Sequence, residues 1–322
     1  MFKRKYKKQS RLKRFLLKLF NIYAFEKETF NIINPHFKND GKNFYNYNDK
    51  TFLLSSGFLD LKRKIKKIDI FIRYSPSINL WKSTGSWKRI VQNVNKQDLI
   101  KICLLSLKDS ILNFLNKHNV EFNLHLIHDG SNEKFNDEIL KIVNSDKYNT
   151  NLYESKVKGN RGSYIECCDQ AEKAEDIIFF IEDDYLFEKD CIEELIFTYS
   201  RISTLLNQDI FLCPSDYPFY YDSVYETALF IGKEFRWRYV KETLLTIMFS
   251  KEVFLKNKKN IRLVGEKINE PFEKPLDEIF NKVPCLAPIK STAYHLSRSV
   301  PAINEDWLKL WKKYYDIINT NK

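Results

Sequence analysis

From Ile68 onward, short apolar runs alternate with longer amphipathic stretches. IDIFIRY (68–74) packs β-branched and aromatic residues into a short run, which predicts a strand. The Ser-, Pro- and Gly-punctuated SPSINLWKSTGSWKR that follows reads as a loop. QDLIKICLLSLKDSILNFLNKH carries Leu99, Ile102, Leu105, Ile111 and Leu115 at helical spacing. FNLHLIHDG predicts a second strand closed by a turn, and NDEILKIV a second helix. SYIECCDQAEKAED predicts a third helix, opened by Ser163 with Glu166 as its capping-box partner. IIFFI is apolar without interruption, as a strand covered on both faces should be. DCIEELIFTYS then reads as a helix with Asp190 at the N-cap and Glu193 answering it. This alternation predicts an α/β fold with a mostly parallel central sheet flanked by helices.

The second half is less regular. DIFLCPSDYPFYYDS predicts a strand running into an aromatic loop, and LLTIMFSKEVFL a strand followed by a helix opened by Ser250. IRLVGEKINEPFEK reads as a loop, PLDEIFNKV as a short helix, STAYHLS as strand-like and DWLKLWKKYYDII as a terminal aromatic helix.

Candidate chemistry gathers at strand ends, where open parallel sheets bind ligands. Arg73 and Tyr74 end the first strand, His128 and Asp129 the second, and Glu182, Asp183 and Asp184 the third. Three adjacent carboxylates repel unless a counter-charge is present. A divalent cation with hard oxygen ligands, Mg²⁺ or Mn²⁺, answers that need and binds phosphates as well. The competing reading makes the acids a charged lead into the following helix.

Charge sharpens the picture. The net charge of +11 sits mostly in MFKRKYKKQSRLKRFLLK, whose 18 residues hold nine Lys or Arg and no acid. The 44 basic residues beyond it nearly balance 42 acidic ones, which argues against a nucleic-acid-binding surface outside the tail. Leu12, Phe15, Leu16, Leu19 and Tyr23 share a helical face, so residues 1–23 suit an anionic membrane surface or dock on their own domain. No apolar run of about 18 residues is present, so no transmembrane helix is expected. Six cysteines lack metal-like or disulfide-framework spacing, which fits a reducing, cytoplasmic compartment.

Four of these stretches in register resemble the nucleotide-binding half of family 2-like, GT-A fold glycosyltransferases: IDIFIRY, LLSLKDSI, FNLHLIHDGSNEKFNDEIL and KGNRGSYIECCDQAEKAEDIIFFIEDDYLFEKDCIEELI. The likeness covers residues 67–200 and thins beyond them. It implies a Rossmann-like single domain over 67–305, with a nucleotide-binding half (67–200) and an acceptor half (201–305). Residues 1–25 form a basic amphipathic tail, 26–66 an irregular lead-in and 306–322 a C-terminal helix.

The resemblance further implies that Arg73, Tyr74, Asp129, Asn160 and Arg161 line the nucleotide, with Glu182 and Asp183 facing ribose and the metal's water shell. Asp184 would bind Mn²⁺ or Mg²⁺ at the diphosphate, joined by Glu182 and by His295 returning from STAYHLS. Asp277, with Glu278 as second choice, resembles the family's acceptor-side base; an N-cap pair is the structural alternative. Trp237 offers an acceptor platform or a core residue. Three departures stand out: His128 replaces an acid before Asp129, the first acid of the metal motif is a Glu (Glu182), and no Pro-Thr-Tyr-Asn run follows the first strand.

The expected activity is metal-dependent, inverting transfer from a nucleotide-diphosphate sugar to a glycan or lipid-linked acceptor hydroxyl. The setting would be surface glycan or glycolipid synthesis at the inner membrane face. A sugar nucleotidylyltransferase is the alternative, and a non-enzymatic nucleic-acid-binding protein a further one.

Overall fold

The structure, a computed structural model, describes residues 51–54, 57–77, 94–222, 227–268, 272–296 and 307–320. The chain divides into two compact units, residues 1–62 and 63–322. The amphipathic tail, and the Trp81 and Trp87 loop, lie outside the described residues. Within the stretch read as an irregular lead-in, β1 (Thr51–Leu54) and β2 (Gly57–Asp60) pair as an antiparallel hairpin. Two four-residue apolar runs around Ser-Ser-Gly are too short for a periodicity argument to find.

The second unit is the α/β domain that the alternation predicts. β3 (Lys67–Tyr74), β4 (Glu121–His128), β5 (Asn149–Glu154) and β6 (Ile177–Glu182) are parallel, in the order β5-β4-β3-β6. Their crossovers are α1 (Lys96–Leu115), α2 (Glu133–Val143) and α3 (Asn160–Ala171). Side-chain caps start two of these: Asn95 accepts from the Asp98 amide at 2.7 Å, and Asn132 from that of Phe135 at 2.9 Å. Further along the chain come β7 (Tyr185–Phe187), α4 (Cys191–Leu206) and β8 (Phe211–Leu212). Then follow β9 (Leu229–Ile231), β10 (Arg236–Tyr239), β11 (Ile247–Ser250) and α5 (Lys251–Glu266). α6 (Lys274–Phe280), β12 (Cys285–Pro288), β13 (Ala293–His295) and α7 (Trp307–Thr320) complete the unit.

Beyond β6 the sheet becomes mixed and continues β11-β8-β12-β10-β9, with β11 antiparallel to β6 and β8 parallel to β12. Strand alternation divides the core. Ile68, Ile70 and Ile72 face a layer with Leu104 and Ile111 of α1, Ile139 of α2 and Leu195 of α4. Phe71 faces Cys167 of α3, Phe254 of α5 and Leu276 of α6. Trp307, Trp311 and Tyr314 dock α7 on Leu99, Ile102 and Cys103 of α1. All six cysteines are free and buried. Among the described residues, no helix is long and apolar enough to cross a membrane.

Several local expectations are corrected. α3 begins at Asn160 behind Gly159, so Ser163 sits inside the first turn, where its hydroxyl donates to the Asn160 carbonyl. Asp190 holds the N-cap position of α4 without a side-chain cap bond; it accepts instead from Asn113, and Glu193 pairs with Lys117 at 2.6 Å. IRLVGE, read as loop, is the last turn and a half of α5, because Ile261 and Val264 have core to bury against. Trp237 is fully buried and donates its indole N–H to Glu194 at 2.9 Å, so it presents no face to a ligand.

Candidate active site

Parallel pairing in register brings the three strand ends to one edge. Tyr74 lies opposite His128, and Arg73 opposite Glu182. The chain leaves β4 through Asp129, whose amide donates to the Tyr74 carbonyl at 3.0 Å, and turns at Gly130, with φ +67°. The Asp129 carboxylate accepts the Gly159 amide at 2.7 Å and so clamps the N-terminus of α3 over this edge. Gly159 takes φ +93°, a conformation an L side chain resists. At Gly162 an added Cβ would stand 1.9 Å from the Val157 carbonyl oxygen, so the tight approach into α3 requires glycine.

Each of the three acids meets a different basic side chain. Arg73, nearly buried, pairs with Glu182 at 2.5 Å, donates to the Asn160 carbonyl at 3.0 Å and to its side-chain oxygen, and lies 5.4 Å from the Tyr164 ring centroid. Asp183 pairs with Lys96, the first residue of α1, and also accepts the Ser75 amide at 3.0 Å. Asp184 lies 3.4 Å from His295.

His295 reaches the site because β13 pairs antiparallel with β7, setting it opposite Tyr185. Its ring stacks on Tyr185 at 4.8 Å and meets the edge of Tyr217 at 6.4 Å. The two tyrosine hydroxyls are 2.5 Å apart, and that of Tyr217 also donates to the Thr243 carbonyl at 3.2 Å. Burial pushes the Glu182 carboxyl up, opposed by Arg73 and reinforced by Asp184. Burial pulls the His295 imidazole down, but the charges of Asp184 and Glu182 outweigh it and leave its pKa raised.

Glu182, Asp184 and His295 bring one donor atom each to within 4.8 Å of one another. Two carboxylates and an imidazole fit a divalent ion that accepts mixed oxygen and nitrogen ligands.

The remaining predicted residues are not among these three donors. Tyr74 turns into the core, donating its hydroxyl to Asn136 at 2.7 Å. Arg161 follows Asn160 on the first turn of α3 with its side chain exposed. Asp277 and Glu278 lie within α6, exposed, so neither is the N-cap; Glu278 accepts from Asn260 of α5 at 3.0 Å. Burial and then the charge of Asp277 raise the carboxyl pKa of Glu242, whose carbonyl accepts from Tyr220 at 2.5 Å.

Glu273, at the N-cap position, is buried. It accepts the Thr243 amide at 2.7 Å, the Thr243 hydroxyl at 2.8 Å and the Leu245 amide. These bonds hold Leu244 and Leu245 at φ +50° and +57°, the left-handed region that non-glycine residues avoid. Burial outweighs the three donors and pushes the Glu273 carboxyl up to about 7.

Sequence reasoning passed over Lys96, Tyr185, Tyr217 and Glu273. Only Lys96 left a signal: a cation in the first turn of a helix opposes the macrodipole unless an acid offsets it.

No model of a known protein family matches the chain, and no curated protein matches it. Solved structures do show likeness. TarS residues 1–349 from S. aureus aligns at a TM-score of 0.45 and 12% identity, over 71% of this chain and 60% of that one. The chain thus spans less than two thirds of that neighbour; the TarS fragment has also been solved with UDP-GlcNAc. A 4-diphosphocytidyl-2C-methyl-D-erythritol synthase from Anaerococcus prevotii aligns at 0.41 and 13% identity, over 79% and 99% of the two chains. A UDP-glucose pyrophosphorylase complexed with UDP-glucose aligns at 0.37 and 9% identity, over 80% and 100%.

Proposed function

We propose that this chain is a metal-dependent glycosyltransferase that moves a sugar from a nucleoside-diphosphate donor to an acceptor hydroxyl with inversion. The observation that carries the reading is the Glu182–Asp184–His295 cluster at the carboxyl edge of parallel strands, beside the N-terminus of α3. A helix N-terminus and a buried arginine favour an anionic ligand there. In this reading, Arg73, Asn160, Arg161 and Asp129 frame the nucleotide, with Tyr74 as the packed wall beneath. Glu182 and Asp183 face ribose and metal-bound water. Glu182, Asp184 and His295 would hold Mn²⁺ or Mg²⁺, which when bound offsets charge on the departing diphosphate.

Asp277 takes the acceptor proton as the hydroxyl attacks the anomeric carbon, since Glu278 is engaged by Asn260. Acceptors of glycan or lipid-linked type fit a peripheral, cytoplasmic-face location reached through residues 1–23. The Asp184→Asn variant tests the proposal: it should fold, yet lose metal-dependent donor hydrolysis and transfer. Undiminished donor hydrolysis would refute it. Release of pyrophosphate instead of nucleoside diphosphate would select the nucleotidylyltransferase reading.

A further inference from the structure

We infer that Lys96 is a diphosphate-responsive residue, holding Asp183 when the site lacks nucleotide and shifting to the diphosphate when one binds. The inference rests on the donor reading above and adds a residue that the sequence resemblance does not assign.

The three basic side chains of the site are not equally fixed. Arg73 is held by Glu182, by two oxygens of Asn160 and by the Tyr164 ring. His295 is held by strand pairing and by its stack on Tyr185. Lys96 differs: its ammonium, on a flexible four-carbon stem, is held among the described residues through its ion pair with Asp183. It also occupies the first position of α1, the positive end of the helix dipole, where a cation is electrostatically misplaced. Asp183 does not depend on it entirely, because its second oxygen accepts the Ser75 amide. The start of α1 does not depend on it either, because Asn95 caps the helix. A diphosphate carries more charge than one carboxylate and offers more acceptor oxygens, so it competes for this ammonium.

A second consequence concerns metal. With Lys96 seated on Asp183, the acids are largely neutralised before any divalent ion arrives. An isolated dication therefore gains little, whereas the ion together with a diphosphate brings its own counter-charge. Metal uptake should be coupled to nucleotide, and removal of the ammonium should loosen that coupling.

Titration calorimetry on the full chain tests this with UDP, GDP and dTDP, each against its monophosphate, and with Mn²⁺ alone. For the nucleotide that binds, Lys96→Met should lower diphosphate affinity by about tenfold to a hundredfold, the weight of one charge-assisted contact. Monophosphate affinity should change less than about threefold, and Mn²⁺ alone should bind more tightly than to the parent chain. Lys96→Arg, which keeps the charge and guards against a folding defect, should retain the diphosphate preference. An unchanged ratio of diphosphate to monophosphate affinity in Lys96→Met, with unchanged Mn²⁺ affinity, overturns the inference and leaves the donor reading standing. Failure of the parent chain to bind any of the nucleotides with Mn²⁺ overturns both.

Discussion

Arg73 stands almost without solvent between Glu182, Asn160 and the Tyr164 ring. Replacing it with Met strands the Glu182 carboxylate, but with 24% of that side chain exposed the loss falls below the about 3–5 kcal/mol of a fully buried pair. Chemical denaturation of Arg73→Met should show that loss; an unchanged midpoint would mean the pair is not buried as described. Glu273 gives the second residue-scale prediction. Its folded pKa, about 7, lies above the ordinary carboxyl value, so the folded state retains a proton that the unfolded state releases. Its contribution is therefore fully present below the unfolded pKa and declines as pH rises through about 7. Subtracting the stability of Glu273→Gln from that of the parent should reveal this decline between about pH 4.5 and 7, and a flat difference would contradict it. The acid triplet, Arg73 and Asp129 were legible because strand ends are where polar residues interrupt apolar runs. Lys96, Tyr185, Tyr217 and Glu273 were not, since their roles arise from partners 87, 32, 26 and 28–30 positions away along the chain.

Elements with a buried face declared themselves, and short or edge elements did not. β6 is a continuous apolar run up to Glu182, β3 is dominated by β-branched and aromatic residues, and α1 shows helical spacing over 20 residues. β5 reads NTNLYE at the sheet edge, and β7 is three residues long, so neither carries a pattern strong enough to predict it. α3 was placed late because its start depends on backbone rather than on a capping side chain: Gly159 at positive φ, Gly162 against Val157. Gly159→Ala should cost about 1–3 kcal/mol, because φ 93° with ψ 171° is a backbone region essentially confined to glycine. Gly162→Ala should cost more, since a Cβ 1.9 Å from a carbonyl forces the turn apart. Thermal melts of the two variants should rank them in that order, and the reverse order would show that the turn gives way easily.

At the scale of the molecule, alternation of strand and helix was enough to indicate an α/β domain with helices on both faces of the sheet. Beyond β6, DIFLC and LLTIMFS read as strands and are β8 and β11, whereas β9, β10 and β12 escaped notice because they span only three or four residues each. Yet that half delivers His295 to the acids through β13 and holds Asp277 on α6. The central claim is that this edge binds a nucleotide sugar through a metal held partly by Asp184. Thermal unfolding with UDP-, GDP-, dTDP- and CMP-sugars, with and without Mn²⁺, tests it directly on the parent and Asp184→Asn chains. A ligand at about a hundred times its Kd adds about 2.7 kcal/mol, or roughly 5–10 °C for a domain of this size. The account predicts such a rise for one nucleotide class, dependent on Mn²⁺ and absent in Asp184→Asn. No rise with any nucleotide, or an equal rise in both chains, would contradict it.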